Sequence, residues 1–286
     1  MISRFDHAVI GVRDLEAAMA RYRALGFETN PGGRHTGLGT ANAIIRFGLD
    51  YLELLTVADA EEAARAGGSS QVLLELLRDR EGALAGYALA TTAIEEDAAR
   101  LARAGLAATG PFAMERLRPD GRLLSWRLLV PEGVSWRRPW PFLIQWDQPD
   151  DQRLSWERPG THPNGATRVL GVSVAVADLA AAVALYRDAL GLAPEVAGDR
   201  ATVAVGGFQI ELLPPAAGAE VAQTLAEIGE GPVAVTLGVR DLAQTEAVLT
   251  EAGVAWQRVT GPTPGIRVEP DQAVGARLVF RPVEPA

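Results

Sequence analysis

A histidine and a glutamate in the first part of the chain are the side chains best suited to chemistry. His7 follows Asp6 at the start of an apolar segment, and Glu53 lies within Tyr51-Leu-Glu-Leu54. The whole chain holds only three histidines, and His35 lies between these two residues. An imidazole and a carboxylate on strands that face one pocket could move a proton or share an ion or a ligand. This concentration predicts a functional site.

The segment between these two residues is rich in glycine and carries further polar side chains. Its glycines permit a tight backbone path close to a ligand. Side chains that alternate along a strand would lie on one face, here Thr40, Asn42, Ile44 and Arg46. The alternative is a loop stabilised by its own side chains, with Asn42 bonded to the backbone, because short polar side chains commonly make local bonds at turns. We expect the polar members of this set to contact a ligand, and His35 to act with Glu53 in catalysis.

The composition excludes several kinds of chemistry. The chain has no cysteine, which rules out disulfides, thiolate nucleophiles, iron–sulfur clusters and cysteine-ligated zinc. All 27 basic residues are arginine, so Schiff bases on lysine and phosphate loops that need lysine are excluded as well. The sequence contains neither a dinucleotide-binding glycine motif nor a nucleophile elbow.

The net charge limits the partners. A formal charge of −9 and a pI near 5.0 would repel a nucleic-acid backbone or an anionic membrane. The N-terminus resembles no signal peptide, and no uncharged apolar stretch reaches the ~18 residues that a membrane span requires. We therefore expect a cytoplasmic protein that binds neither nucleic acid nor membranes.

Four similar units follow one another along the chain. Each begins with an apolar strand, continues with a capped helix that ends at a glycine, and then adds shorter strands. A Thr92–Glu95 capping box is predicted for the second helix, and aspartates cap the others, namely Asp14, Asp178 and Asp241. The predicted helix stops are Gly26, Gly105, Gly191 and Gly253.

The shorter strands and connections complete each unit. In the first unit they are predicted at residues 27–30, 40–47 and 51–56, and in the second a hairpin turn is predicted at Pro119-Asp120-Gly121. Helical connections are predicted at Glu61–Arg78 and Val221–Ile228. We predict an α+β protein of two tandem halves, residues 1–147 and 167–286, joined by a proline-rich linker at 148–166. Each half would pair two β-α-β-β-β units into an open half-barrel cup.

These motifs resemble a known superfamily. Repeated β-α-β-β-β units with Asp6-His7 in the first strand and Tyr51-Leu-Glu-Leu54 in the fourth are similar to those of the vicinal oxygen chelate superfamily. The pattern Gly-Gly-x-His-x3-Gly-Thr-x-Asn at 32–42, followed by Pro141-Phe-x-Ile-x-Trp146, resembles its glyoxalase-like domain proteins. The specific resemblance covers residues 4–147, whereas the second half resembles only the general repeat.

The resemblance implies a divalent metal held by residues of the first and fourth strands of paired units. His7 and Glu53 match these positions in the first unit, and their types suit zinc, nickel, manganese or iron. The matching positions of the second unit are Tyr87 and Gln145. We expect Gln145 to complete the metal set and Tyr87 to contact the ligand, with a metal-free site as the alternative.

The other half of the repeat keeps only the glutamate of this set. Its corresponding residues are Gly171, Glu211, Ala234 and Phe280, so we predict a structural or dimer-forming copy. An arginine should cap Glu211 there, unless burial disfavours its charge. Five of the six tryptophans lie in the second unit and the linker, and Trp126 and Trp140 could wall an apolar pocket rather than only fill the core. His162 in the linker is expected to be a solvated loop residue.

Two functions are compatible with these features. The first is a metal-dependent lyase or isomerase of glyoxalase type that acts on a small carbonyl compound or its adduct. The second is a metal-free protein that sequesters an aromatic or amphipathic small molecule, as bleomycin-resistance proteins do. Ring-cleaving dioxygenase activity fits less well, because it needs a second histidine at a repeat position. Open strand edges favour a homodimer.

Overall fold

A computed structural model describes residues 1–117, 121–261 and 263–283. The predicted hairpin turn at Pro119 and Asp120 lies outside these residues. The strands form two mixed sheets of eight strands each. Along the chain, strands and α-helices follow the order of four β-α-β-β-β modules. The fold class is therefore α+β, in two tandem halves of two modules each.

The first sheet is built from the strands of modules 1 and 2. Its order is β2-β3-β4-β1-β5-β8-β7-β6. The strands are β1 (Ile2–Val12), β2 (Asn30–His35), β3 (Thr40–Arg46), β4 (Tyr51–Val57), β5 (Gly82–Thr91), β6 (Ala108–Leu117), β7 (Leu123–Pro131) and β8 (Phe142–Trp146).

The second sheet repeats this order with the strands of modules 3 and 4. Its order is β10-β11-β12-β9-β13-β16-β15-β14. The strands are β9 (Ala166–Ala175), β10 (Pro194–Ala197), β11 (Arg200–Val205), β12 (Phe208–Leu213), β13 (Gly231–Val239), β14 (Gln257–Val259), β15 (Gly265–Val268) and β16 (Arg277–Pro282).

Eight α-helices accompany the sheets within the described residues. They are α1 (Leu15–Ala24), α2 (Ala60–Ala66), α3 (Gly68–Leu76), α4 (Ile94–Arg103), α5 (Asp150–Trp156), α6 (Leu179–Ala184), α7 (Ala219–Ile228) and α8 (Leu242–Glu251). A π-helical turn at Leu185–Ala189 continues α6. None of the described helices is long and apolar enough to cross a membrane.

Backbone packing divides the chain into two compact units. The first unit contains residues 1–7, 85–148 and 171–233, which are chiefly modules 2 and 3. The second contains residues 8–84, 149–170 and 234–286, which are chiefly modules 1 and 4 with the segment that joins the halves. The domain limits at 147 and 167 stay a prediction.

The caps of three modules follow the local sequence. Asp14 accepts a hydrogen bond from the Ala17 N–H at 3.0 Å, and Asp178 and Asp241 cap α6 and α8 in the same way. All four predicted glycine stops have positive φ, between 66° and 81°. These predictions are confirmed because an aspartate cap and a left-handed glycine act within one helical turn.

The cap of α4 corrects the sequence analysis. Its N-cap residue is Ala93, and no capping box forms between Thr92 and Glu95. The Thr92 hydroxyl instead bonds to the carbonyl oxygen of Met1 at 3.4 Å. The first N–H of the helix, that of Ile94, donates to Oε1 of Gln145 at 2.9 Å. A side chain from β8 therefore supplies the cap.

Three further elements differ from their predictions. The glycine-rich segment is strand β2 rather than a loop, with a bulge between Pro31 and Gly33. The predicted helix at 61–78 is two helices, because Gly67 has a positive φ of 65° that ends α2. The joining segment carries α5 and buries the side chains of Arg153 and His162. The prolines of that segment thus bound a helix rather than an open linker.

The core beside the candidate site lies under one face of β3 and β4. Ala43 and Ile45 alternate along β3 with Asn42, Ile44 and Arg46, and Leu52 and Leu54 flank Glu53 on β4. All four are fully buried, and α1 contacts both strands. The opposite face of the two strands consequently carries the polar side chains.

Candidate functional site

The first polar centre, here the His7 centre, lies in the first compact unit. His7 is 4% exposed, and its Nδ1 is 2.8 Å from a carboxylate oxygen of Asp6. Because the carboxylate can only accept, Nδ1 carries the proton. Asp6 is completely buried and also accepts from Nη1 of Arg4 at 2.8 Å and Nε1 of Trp146 at 2.9 Å. These bonds fix the orientation of the imidazole.

Aromatic rings surround the His7 centre. Phe142 packs edge to face on the His7 ring, with ring centroids 5.4 Å apart. Trp136 packs in the same manner on Phe142, with ring centroids 5.9 Å apart. Trp126 and Trp146 are register partners on β7 and β8, with ring centroids 5.1 Å apart. The predicted ligand contact Trp126 therefore lies in an aromatic cluster next to His7. Trp140 is half-buried on the segment before β8.

The second polar centre, here the Glu53 centre, lies in the second compact unit. The register pairs Ile44 with Glu53 across β3 and β4. Asn42, two residues before Ile44, donates a hydrogen bond from Nδ2 to Oε1 of Glu53. Both residues are buried, at 3% and 7% exposure. The structure thus joins two residues that the sequence placed on neighbouring strands.

The backbone of β2 encloses the Asn42 amide. A Cβ atom at Gly32 would overlap Oδ1 of Asn42, so a larger residue could not lie at this position without a shift. Within the described residues, no donor reaches Oδ1 of Asn42. The glycine of β2 therefore allows the amide to be held against Glu53, and its role is close packing rather than an unusual φ.

His35 and Thr40 form a pair at the turn between β2 and β3. They are register partners, and Nδ1 of His35 is 2.9 Å from Oγ1 of Thr40. His35 and Thr40, both expected in the site, are thus hydrogen-bonded to each other. The hydrogen bond closes the hairpin, which is the local stabilisation that the sequence analysis kept as the alternative for this segment.

Arg46 lies at the end of β3 on the same face as Asn42 and Ile44. Its Nη2 is 2.8 Å from Oε1 of Glu157, and its guanidinium lies 4.7 Å from the centroid of the Tyr51 ring. Glu157 comes from the segment that joins the halves. Arg46, expected to contact a ligand, is therefore held by an internal carboxylate and an aromatic ring.

Gln145 and Tyr87, the matching residues of the second module, have structural partners. Oε1 of Gln145 accepts the capping bond from Ile94, and this is the atom that would coordinate a metal. The Tyr87 hydroxyl is bonded to the hydroxyl of Tyr186, which donates to the Pro139 carbonyl at 2.8 Å. Burial raises the pKa of each of these two tyrosines above the ordinary value for tyrosine. The pair therefore remains protonated.

The donor set does not complete a metal centre. His7 and Glu53 are suitable ligand types, but catalytic zinc sites usually have about three protein ligands. In the part of the chain that the structure describes, no three histidine, aspartate or glutamate side chains are placed to hold one ion. Gln145 and Tyr87 are bonded elsewhere, as described above. The described residues therefore do not fit the implied metal, and we assign no chemistry to it.

Module 3 shows how the equivalent carboxylate is neutralised. Thr202 pairs with Glu211 in the register of β11 and β12, and Arg200 precedes it by two residues, as Asn42 precedes Ile44. Nη1 of Arg200 is 3.2 Å from Glu211, and Ser173 donates to the same carboxylate at 3.0 Å. The prediction that an arginine caps Glu211 is confirmed. An arginine thus stands where module 1 has a neutral amide.

The sequence analysis missed several of these partners. Asp6 was noted only as part of a motif, although its spacing beside His7 is the one local signal that could have revealed it. Tyr186, Glu157 and Arg200 carry no local signal, because each meets its partner from a distant segment or another strand.

The module repeat and the two sheets define a tandem protein of the vicinal oxygen chelate superfamily. The model of the glyoxalase-like domain family matches residues 5–191, and the chain belongs to this family. Residues 168–268 match the Glyoxalase/Bleomycin resistance protein/Dioxygenase superfamily. The superfamily includes metal-dependent dioxygenases and isomerases. No curated protein shows significant similarity to the chain.

Solved structures share the fold over nearly the whole chain. A hypothetical protein from Staphylococcus aureus matches with a TM-score of 0.69 at 16% identity, covering 98% of this chain and 99% of its own. A mutant of 4-hydroxymandelate synthase from Streptomyces coelicolor matches with a TM-score of 0.64 at 15% identity, covering 98% and 92%. At these identities the similarity establishes the fold alone.

Proposed function

We propose that the chain is a glyoxalase-like lyase or isomerase that acts on a small carbonyl compound or its adduct. Proton transfer is assigned to Glu53. The observation that carries the proposal is the buried hydrogen bond from Nδ2 of Asn42 to Oε1 of Glu53, which holds the carboxylate on the polar face of β3 and β4. A carboxylate fixed in this way can act as a general base towards a bound molecule.

Glu53 carries one proton through this reaction. Held by the Asn42 amide, it takes the proton from the carbon next to the carbonyl, and the electron pair moves to the carbonyl oxygen. In an isomerisation the electron pair returns from the oxygen and Glu53 gives the proton back to carbon. In a lyase reaction the returning pair forms a carbon–carbon double bond, and a group leaves the adjacent carbon with its bonding electrons and takes the proton from Glu53.

A second candidate is metal-free capture of an aromatic or amphipathic molecule. The observation that favours it is the aromatic cluster at the His7 centre, where Phe142, Trp126 and Trp146 lie near one polar group. Aromatic walls with a few fixed polar groups are typical of small-molecule sites. The incomplete metal set agrees with either candidate.

One experiment separates the two candidates. The protein is incubated in D2O with a panel of small carbonyl compounds and their thiol adducts, and proton NMR follows the hydrogen next to the carbonyl. We expect exchange of this hydrogen with the wild type and the Glu211→Gln control, and loss of exchange with Glu53→Gln. Saturation-transfer signals from an aromatic compound without any exchange would instead support the binding protein.

Metal analysis tests the absence of a complete ligand set. Protein prepared without a histidine tag should contain less than one equivalent of zinc, nickel, manganese or iron per chain. One equivalent that is lost in His7→Ala and in Glu53→Gln would contradict our assignment and would support metal-dependent chemistry.

A further inference from the structure

Residues 150–164, here called the clamp segment, are attached to the end of β3. Glu157 accepts from Nη2 of Arg46 at 2.8 Å and from Nη2 of Arg153 at 3.2 Å. All three side chains are buried. The N–H of Gly160 donates to the Arg46 carbonyl at 2.8 Å. Arg46 is therefore held by its guanidinium and by its backbone.

His162 provides the second attachment of the clamp segment. Its ring lies between Phe27 and Phe47, with centroid distances of 5.8 Å and 4.9 Å. Its exposure is 3%, which corrects the expectation of a solvated loop histidine. The reason is distant in sequence, since the two phenylalanines belong to module 1.

The two ring nitrogens of His162 have opposite roles. Nδ1 accepts from the backbone N–H of Glu28 at 3.1 Å, and Nε2 lies 3.0 Å from the Arg46 carbonyl oxygen. Nδ1 must therefore lack a proton, and Nε2 must carry one. A second proton would place two N–H groups against each other at Nδ1. Only the neutral ring satisfies both contacts.

The surroundings of His162 shift its pKa in opposite directions. Burial lowers the pKa of His162 below its ordinary value, and Arg240 acts in the same direction. The carbonyl of Arg46 and the carboxylate of Glu28 act in the opposite direction but do not reverse the shift. The Arg46 guanidinium is paired with Glu157, and the adjacent rings of Phe27 and Phe47 are uncharged.

The sign of the pH effect follows from this shift. A histidine whose pKa is lower in the attached state contributes its full stabilisation above the pKa of the released state, about 6.5. That contribution is lost as the pH falls from there towards the lower pKa of the attached state. Acidic conditions therefore favour release of the clamp segment.

We propose that the clamp segment is a pH-sensitive latch that holds Arg46, with His162 as the group that opens it. Protonation removes the contact with Glu28, and the bonds of Gly160 and His162 to Arg46 are lost with it. Arg46 and Asn42 on β3 lie on the same face of the sheet as Glu53 on β4, so the latch sets the position of a guanidinium on that face. The inference rests on these contacts and not on the proposed chemistry.

Hydrogen exchange tests the latch directly. Proton–carbon NMR gives the titration of each of the three histidine rings, and amide exchange of Glu28 and Gly160 reports the attachment. As the pH falls from about 6.5 towards the lower pKa of the attached His162, the equilibrium constant for opening should rise by up to about tenfold per pH unit, because one proton is linked to opening. Core amides of β3 should stay protected throughout.

Two variants complete the test. His162→Gln cannot titrate and should abolish the pH dependence of opening, even if the baseline protection is lower. His35→Gln removes a different histidine and should leave the dependence intact. The proposal is overturned if opening is independent of pH in the wild type, if it persists in His162→Gln, or if the clamp and the core lose protection together.

Discussion

At the scale of single residues, the structure explains His7 through its neighbour. Asp6 has no exposed surface and accepts from three donors, of which the His7 imidazole is one. Buried carboxylates need such partners, because an unpaired charge in the interior is costly. Asp6 thus serves both the stability of β1 and the orientation of the ring.

Replacing this carboxylate should change the His7 ring itself. In Asp6→Asn, the amide can either accept from or donate to Nδ1, so we expect a mixture of tautomers in place of one. Nitrogen NMR of the His7 ring measures this, with the His35 ring as an internal control. We also expect a loss of about 1.5–3 kcal/mol in the free energy of unfolding, since charged hydrogen bonds are removed. An unchanged tautomer would mean that Asp6 does not position the ring.

At the scale of elements, the aspartate caps and glycine stops were predicted correctly from local sequence, whereas partners that are distant in sequence were missed. Asp14 and Gly26 were predicted because a cap and a stop act within a single turn. Thr92 was a wrong prediction, because Gln145 of β8 reaches the same helix end from 51 residues away. The hydrogen bond between Asn42 and Glu53 could not be predicted, because it depends on the register of β3 against β4. Alternation within one strand shows which side chains share a face, but it does not define that register.

The cap of α4 gives a testable contrast between two side chains. Gln145→Ala should lower the free energy of unfolding by about 1 kcal/mol, because the Ile94 N–H loses its acceptor. Thr92→Ala should change it by less than about 0.5 kcal/mol, since that residue is exposed. Urea denaturation measures both. Equal losses in the free energy of unfolding would instead support the capping box predicted between Thr92 and Glu95.

The close approach of β2 to Asn42 gives a second contrast. In Gly32→Ala, the new methyl group overlaps Oδ1 of Asn42, so we expect a loss of about 1–3 kcal/mol in the free energy of unfolding. Gly207→Ala is the matched control, because a Cβ there meets no atom within 4 Å. Denaturant titration of both variants is sufficient. If Gly32→Ala were as stable as the control, the amide would not be held by β2.

At the scale of the whole molecule, the repeat could be predicted from the sequence, but the contacts between distant segments could not. The four modules were evident from strands and caps that recur. The burial of His162 and the bond between Tyr87 and Tyr186 were not, because both depend on segments that meet only in the folded chain. The asymmetry between modules 1 and 3 is visible in the sequence and in the structure. The neutral amide of Asn42 donates to Glu53 in module 1, whereas the guanidinium of Arg200 pairs with Glu211 in module 3.

The most direct test of the central claim compares these two carboxylates. A compound from the carbonyl panel that binds the wild type is titrated by calorimetry against Glu53→Gln and Glu211→Gln. We predict that Glu53→Gln weakens binding at least about tenfold, roughly 1.4 kcal/mol, and that Glu211→Gln leaves the affinity unchanged. A loss confined to Glu211→Gln would place the working site in module 3 and contradict the account.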